Sequence, residues 1–237
     1  MECYRIMLAG IPIPCAFEFE QTAACFGAYA EGPEPETEAL HAPDWLWEDW
    51  LRGVGEKNAH NEYSLYAALC SSVLLHRDRC VYHAAALRFR DRAWLLAAPS
   101  GVGKSTQVKT LRELYPGAFG VISGDRPVLE LTENGVRVHP SPWNGKENWF
   151  GAEAAPLAGL ILLRRGEENS VERLPVRDAA APVYGGIFQT AADASEIHRA
   201  ASFAGALLEC VPVWRLTNRG VPDSTRLLYD RVLTGES

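Results

Sequence analysis

Hydrophobic positions in this chain fall into short runs, each closed by glycine, proline or a polar turn, and their period switches between two and 3.6. Residues 4–9 and 11–19 pattern as two strands joined near Gly10, the second alternating apolar and acidic positions toward Phe17-Glu18-Phe19-Glu20. The stretch 31–38, Glu-Gly-Pro-Glu-Pro-Glu-Thr-Glu, is a proline- and glutamate-rich connection. Asp44 is placed to cap a short helix carrying Trp45, Trp47 and Trp50, and Asn61 to cap a longer one over 62–75. Tryptophans at that spacing build a core or an interface between units.

From Cys80 onward the pattern changes. Residues 81–89 and 93–97 pair as strands around the Arg90-Asp91 turn, with His83 on the first, and 107–115 reads as a helix. Residues 119–122 form a strand ending at Ser123-Gly124-Asp125, and 128–131 with 136–139 make a hairpin over Asn134-Gly135. The continuous apolar run 157–163 is a strand buried on both faces, hence central. An amphipathic helix over 193–208, a strand over 211–216 and a last helix opened by Pro222-Asp223-Ser224 complete the chain. Interleaved strands and helices predict an α/β class, and the hairpins predict a mixed sheet. The division expected is a small N-terminal α+β segment, 1–79, holding the first hairpin and the tryptophan-rich helix, followed by a larger unit, 80–237.

Length and composition narrow the class. The 237 residues, 47% apolar and 22% charged, suit a soluble protein with a substantial core. The longest apolar stretch is too short to span a bilayer, and Met1-Glu2-Cys3-Tyr4-Arg5 does not open like a secretion signal, so a cytoplasmic location without a membrane partner is expected. Six cysteines are scattered with no CxxC and no His-flanked pair, which indicates neither a zinc site nor a disulfide framework. The net charge of −7 is uneven: residues 1–60 carry eleven Asp or Glu against three Lys or Arg, leaving the rest close to neutral. Without a basic face, nucleic acid is not an expected partner. The acidic segment either attracts a basic peptide or is simply solvated.

Residues 98–106, Ala-Pro-Ser-Gly-Val-Gly-Lys-Ser-Thr, carry the chemistry. A strand before and a helix after give the context that a phosphate-binding loop requires. Gly101 and Gly103 can take the positive dihedrals that turn successive N–H groups inward, and the helix opening at Lys104 aims its positive end at the same point. Ser100, Gly101, Val102, Gly103, Lys104, Ser105 and Thr106 are the candidates for holding the polyphosphate of ATP. Lys104 reaches the terminal phosphates, and Ser105 is placed to ligate Mg²⁺. One position departs from the pattern GxxxxGK[ST]: Ala98 stands where glycine is usual.

Three features in order resemble the C-terminal domain of HPr kinase/phosphorylase, within the phosphoenolpyruvate-carboxykinase-like group: His83 followed by small residues, the loop Pro-Ser-Gly-Val-Gly-Lys-Ser-Thr, and Ser123-Gly124-Asp125. The similarity covers about 80–233. It implies an ATP-binding P-loop domain of that kind and a kinase that uses ATP and Mg²⁺, with some relatives phosphorylating a serine of a precursor peptide. It further implies Asp125 as metal ligand and proton acceptor, with His83 polarising it or relaying the acceptor proton. Relatives commonly carry two adjacent aspartates at the acidic motif, and here the first is Gly124. They are also commonly oligomeric, so a homo-oligomer is an open expectation.

Read without the resemblance, Asp125 also fits a turn residue and His83 a satisfied core histidine. Lys146, in the turn-rich segment Ser141-Pro-Trp-Asn-Gly-Lys-Glu147, either neutralises the transferred phosphoryl group or is a solvated lysine. Arg164-Arg165 either approaches phosphate or covers the sheet edge. The function expected is transfer of the γ-phosphate of ATP to a hydroxyl, foremost a serine of a peptide or small protein. The alternatives are a small-molecule kinase on the same scaffold and an ATP-binding regulatory module with little turnover.

Overall fold

Alternation in the first two apolar runs folds them into a hairpin, β1 (Glu2–Leu8) and β2 (Ile11–Phe17), turned by Ala9 and Gly10 at positive φ. The computed structural model describes residues 2–35, 39–99, 101–151 and 153–235. A short helix that seven residues of sequence do not reveal, α1 (Glu20–Phe26), precedes β3 (Ala30–Pro33), which pairs with the free edge of β1. The proline- and glutamate-rich connection therefore begins as an edge strand, where a sheet tolerates proline, and its residues 36–38 lie outside the described residues.

Two helices follow, α2 (Asp44–Val54) and α3 (Ala59–Leu75). Both expected caps are corrected. Asp44 is the first residue of α2, with Pro43 in the cap position. Asn58, not Asn61, caps α3: its side chain accepts the Asn61 N–H at 3.0 Å, so the expected and observed caps are the two ends of one hydrogen bond. Ile6, Leu8, Phe17, Phe26, Trp47 and Tyr66 form a buried cluster that also includes Val81, Val128 and Trp143. The N-terminal unit and the larger sheet thus share one hydrophobic core.

The larger sheet has nine strands: β4 (Arg79–Val81), β5 (Ala85–Phe89), β6 (Arg92–Ala97), β7 (Phe119–Ser123), β8 (Val128–Thr132), β9 (Gly135–His139), β10 (Ala155–Arg165), β11 (Ser170–Arg173) and β12 (Val213–Asn218). β10 is its branch point. It runs parallel to β6 and to β12, and its first two residues pair antiparallel with β9. The architecture is α/β with a mixed sheet, as the interleaved pattern predicts. Helices α4 (Lys104–Leu114), α5 (Val176–Tyr184), α6 (Ala194–Cys210) and α7 (Asp223–Leu228) complete it. β11 and α5 were not read from sequence, β11 being four residues long and α5 carrying Pro182 within it.

Neighbouring apolar residues on the central strands serve opposite faces. Leu95 and Leu160 join Val183, Phe203 and Leu207 in one cluster, whereas Leu96 and Ile161 join Val108, Leu111, Leu216 and Leu228 in another. That is why these strands read as unbroken apolar runs. Among the described residues, no helix is long and apolar enough to cross a membrane.

One expected strand divides. The run 81–89 breaks into β4 and β5 because Tyr82, His83 and Ala84 send their N–H groups elsewhere: to the carbonyls of Pro127 (3.0 Å), Gly186 (2.7 Å) and Asp125 (2.9 Å). His83 therefore stands in a break between strands, not on a strand. The break points it at the phosphate loop.

Candidate active site at the phosphate loop

Gly101 (φ +78°) and Gly103 (φ +118°) hold the loop between β6 and α4 in backbone conformations that side chains rarely adopt. Space does not require glycine at Gly101, where an added Cβ would meet nothing within 4 Å. The backbone conformation does. Ala98, by contrast, is not among the positive-φ residues, so alanine fits there without strain. Ser100 lies outside the described residues. The hydroxyls of Ser105 and Thr106 have no hydrogen-bond partner among the described residues, and Arg165 braces the loop by donating to the Gly101 carbonyl at 2.7 Å.

Three of the residues named from sequence converge here. Lys104 Nζ donates to the Ala98 carbonyl at 2.9 Å and lies 2.8 Å from His83 Nε2. The same imidazole nitrogen is 3.5 Å from Asp125 Oδ1. Nε2 thus stands between the Lys104 ammonium and the Asp125 carboxylate, and the tautomer decides which it bonds: as an acceptor it takes Lys104, as a donor Asp125. In either tautomer Asp125 attracts the pair electrostatically. Burial lowers the Lys104 pKa, with Asp125 opposing that change and Arg126 adding to it. Burial alone would raise the Asp125 carboxyl, but His83, Arg126 and Lys104 together hold it below the usual carboxylate range. It is therefore an anion at neutral pH, a good electrostatic partner and a weak base.

Arg126, which sequence reasoning did not single out, completes this cluster. Its Nε lies 3.2 Å from Asp125 Oδ2, and its guanidinium lies 4.9 Å from the Phe188 ring centre. The signal was adjacency to Asp125, without the tertiary partners that turn the side chain inward. Lys146 is exposed and makes no hydrogen bond or ion pair with Lys104, His83 or Asp125 among the described residues. Its loop is nonetheless part of the site. A Cβ on Gly145 would lie 3.0 Å from Asp125 Cβ, and Glu147 pairs with Lys109 of α4 at 2.8 Å.

Gly124 is explained by that loop. A Cβ there would lie 2.3 Å from the Asn144 carbonyl oxygen and 3.1 Å from that of Trp149. No side chain fits, so the acidic motif holds a single carboxylate.

A second recess adjoins the loop, a cleft of about 450 Å³ at the carboxyl ends of β6, β10 and β12. Parallel strands present their ligand crevices at that end. Arg165 is among its lining residues, whereas Arg164 is spent on Thr217, to whose Oγ1 its Nε donates at 2.9 Å. Asn218, another residue missed from sequence, lines the cleft with its Oδ1 buried and unpartnered. Its polar character at a strand end was the only sequence signal.

Among solved structures, that of the Hpr(Ser) kinase/phosphatase from Coxiella burnetii is similar to this chain, at 13% identity and a TM-score of 0.38, covering 66% of this chain and 92% of that one. No protein-family model matches the chain, and no curated protein matches it either.

Proposed function

We propose that this chain is an ATP- and Mg²⁺-dependent kinase that transfers the γ-phosphate to a hydroxyl, foremost a serine of a peptide or small protein. The observation that carries this reading is the meeting of Lys104, His83 and Asp125 at one end of a phosphate loop, with His83 Nε2 2.8 Å from Lys104 Nζ and 3.5 Å from Asp125 Oδ1. A loop that only anchored phosphate would not need an ionised carboxylate and an imidazole beside its lysine.

The residues present fit the groups this chemistry requires. The glycine loop and the start of α4 suit a polyphosphate, and the cleft at the strand ends suits a nucleoside, with Asn218 Oδ1 free to accept a base amine. Ser105 and Asp125 would hold Mg²⁺, an ion that is content with one or two carboxylates plus phosphate oxygens and water. Bound there, it neutralises charge on the phosphates. Lys104 gives up its contact with His83 for the more strongly attracting phosphate oxygens. His83 Nε2 is then free to accept the acceptor hydroxyl's proton or to relay it, while Asp125 orients that hydroxyl and stabilises the imidazolium. Phosphoryl transfer needs positioning and neutralisation more than a strong base, so one carboxylate of lowered pKa suffices.

For the acceptor, the acidic N-terminal region is the docking surface in this reading. Glu18 pairs with Lys57, Glu34 with Arg5 and Asp49 with Arg52, while Glu62 accepts the N–H groups of Glu18 and Phe19. Glu20, Glu31, Asp44, Glu48 and Glu56 are exposed without an ion pair among the described residues and supply the attraction for a basic segment. Incubating the protein with ATP, Mg²⁺, a panel of serine-containing basic peptides, purified HPr and a metabolite mixture tests this by mass spectrometry. A peptide or protein gaining one phosphate is the expected result. Phosphate found only on a metabolite would move the acceptor class to small molecules.

A second reading rests on Gly124. Because the acidic motif holds one carboxylate, an ATP-binding module with negligible turnover is the competing assignment. Nucleotide binding with no phosphorylated product from any acceptor in that panel would favour it.

A further inference from the structure

Away from the phosphate loop, a cleft of about 700 Å³ opens between the C-terminal half of α3, the start of α6 and the beginning of α2. It is a separate place. Tyr63, whose hydroxyl accepts the Asn144 N–H at 3.2 Å, marks the end of α3 nearest the active site, and Ser72 in the cleft is nine residues further along, roughly 13 Å at 1.5 Å per residue. Its volume lies within the ordinary range for small-molecule sites.

The lining has two characters. Leu69 and Val73 of α3, with Trp45 of α2, form an apolar wall, and Trp45 is 49% exposed. The opposite side is polar, and its carboxylates are already committed. Glu196, only 8% exposed, accepts the Thr190 and Ala192 N–H groups at 2.7 and 3.1 Å and the hydroxyls of Ser72 and Thr190. Burial would raise its carboxyl, but those donors hold it below the usual range, so it stays ionised and saturated. Asp193 accepts the Glu196 N–H at 2.9 Å as the cap of α6 and feels the charge of Arg199 without forming a close pair.

The basic side chains are not committed in the same way. Those of His76 and Arg77 have no hydrogen bond or ion pair among the described residues. Arg199 donates to Ser195 Oγ at 2.6 Å, yet its Nε is buried with no acceptor. Its Nη1 is likewise unclaimed by the protein among the described residues, and a guanidinium with donors to spare at a cleft suits an oxyanion, since its fork matches carboxylate and phosphate oxygens.

We propose that this cleft binds a small organic anion with an apolar body, its head held by Arg199 and Arg77 and its body laid against Leu69, Val73 and Trp45. The assignment does not depend on the kinase reading.

The test uses the full chain and 4-phenylbutyrate as probe, followed by calorimetry and by tryptophan fluorescence with Trp45→Phe identifying the Trp45 signal. Saturable binding is expected, at least ~10-fold tighter than for the neutral 4-phenylbutyramide or for inorganic phosphate, and unaffected by saturating ATP. Arg199→Met keeps the side-chain bulk and removes the charge. It should weaken 4-phenylbutyrate at least ~10-fold while the thermal melt stays cooperative, which reports that the variant is folded. If that variant does not fold, Arg77→Met, at an exposed position, takes its place with the same expectation. No saturable binding, equal affinity for acid and amide, equal affinity for inorganic phosphate, competition by ATP, or wild-type affinity in the charge-removing variant would each overturn the proposal.

Discussion

The Asn144 backbone carbonyl reaches within 2.3 Å of the point where a side chain on Gly124 would begin. The segment following β9 can therefore close over Asp125 only because residue 124 carries no Cβ, and the missing side chain and the position of the loop are a single structural fact. Gly124→Ala should displace the loop and cost about 1–3 kcal/mol, the range for forcing atoms into a packed site. Urea unfolding measures it. Parent-like stability would mean that the loop does not rest on residue 124.

Lys104→Ala removes the charge at the mouth of the loop and leaves the buried face of α4, with Val108 and Leu111, intact. Stability should change by less than about 1 kcal/mol, as for partly exposed positions outside the core. Affinity for MgATP should fall by at least ~10²-fold, about 2.7 kcal/mol. Calorimetric titration of variant and parent decides the matter, and equal affinities would remove the phosphate-loop reading.

Asp125→Asn preserves shape but deletes the one carboxylate of the acidic motif. Nucleotide affinity should stay within roughly tenfold, whereas single-turnover phosphoryl transfer should drop by ~10²-fold or more. An unchanged rate with a genuine acceptor would remove Asp125 from the mechanism and leave His83 to act without it.

The pH dependence of stability follows from Glu196, whose carboxyl is held below the usual range by the Ser72, Thr190 and Ala192 donors against the opposing effect of burial. A depressed folded-state pKa stabilises the protein above the unfolded-state value, ordinarily about 4.3 for glutamate, and that stabilisation disappears as pH falls through the lower folded value. Glu196→Gln should therefore lower Tm most near neutral pH, with the difference from parent shrinking steadily as the solution is acidified below the ordinary glutamate range. Thermal melts across that interval would show it. A difference that grows on acidification would contradict the hydrogen-bonding account.

The sequence by itself determined the elements whose signal is local. Glycines at 101 and 103 dictate a turn whatever surrounds them, unbroken apolar runs dictate doubly buried strands such as β6 and β10, and the segment around Lys104 reads directly as strand, loop and helix. Elements of four to nine residues, such as α1, β11 and α5, escaped because so few positions do not establish a period.

What only the tertiary structure decided is which distant side chains meet. His83 was legible as a candidate, but its place in a break between β4 and β5 depends on the Gly186 carbonyl, 103 residues away in the chain, drawing off its N–H. Arg126 and Asn218 became site residues because Asp125 and the ends of three parallel strands surround them. Gly124, a departure from the familiar acidic pair when read along the chain, is required by a carbonyl twenty residues later. Local propensity is written residue by residue, whereas contact across the fold follows from how strands order themselves in a sheet, and no window of sequence contains that order.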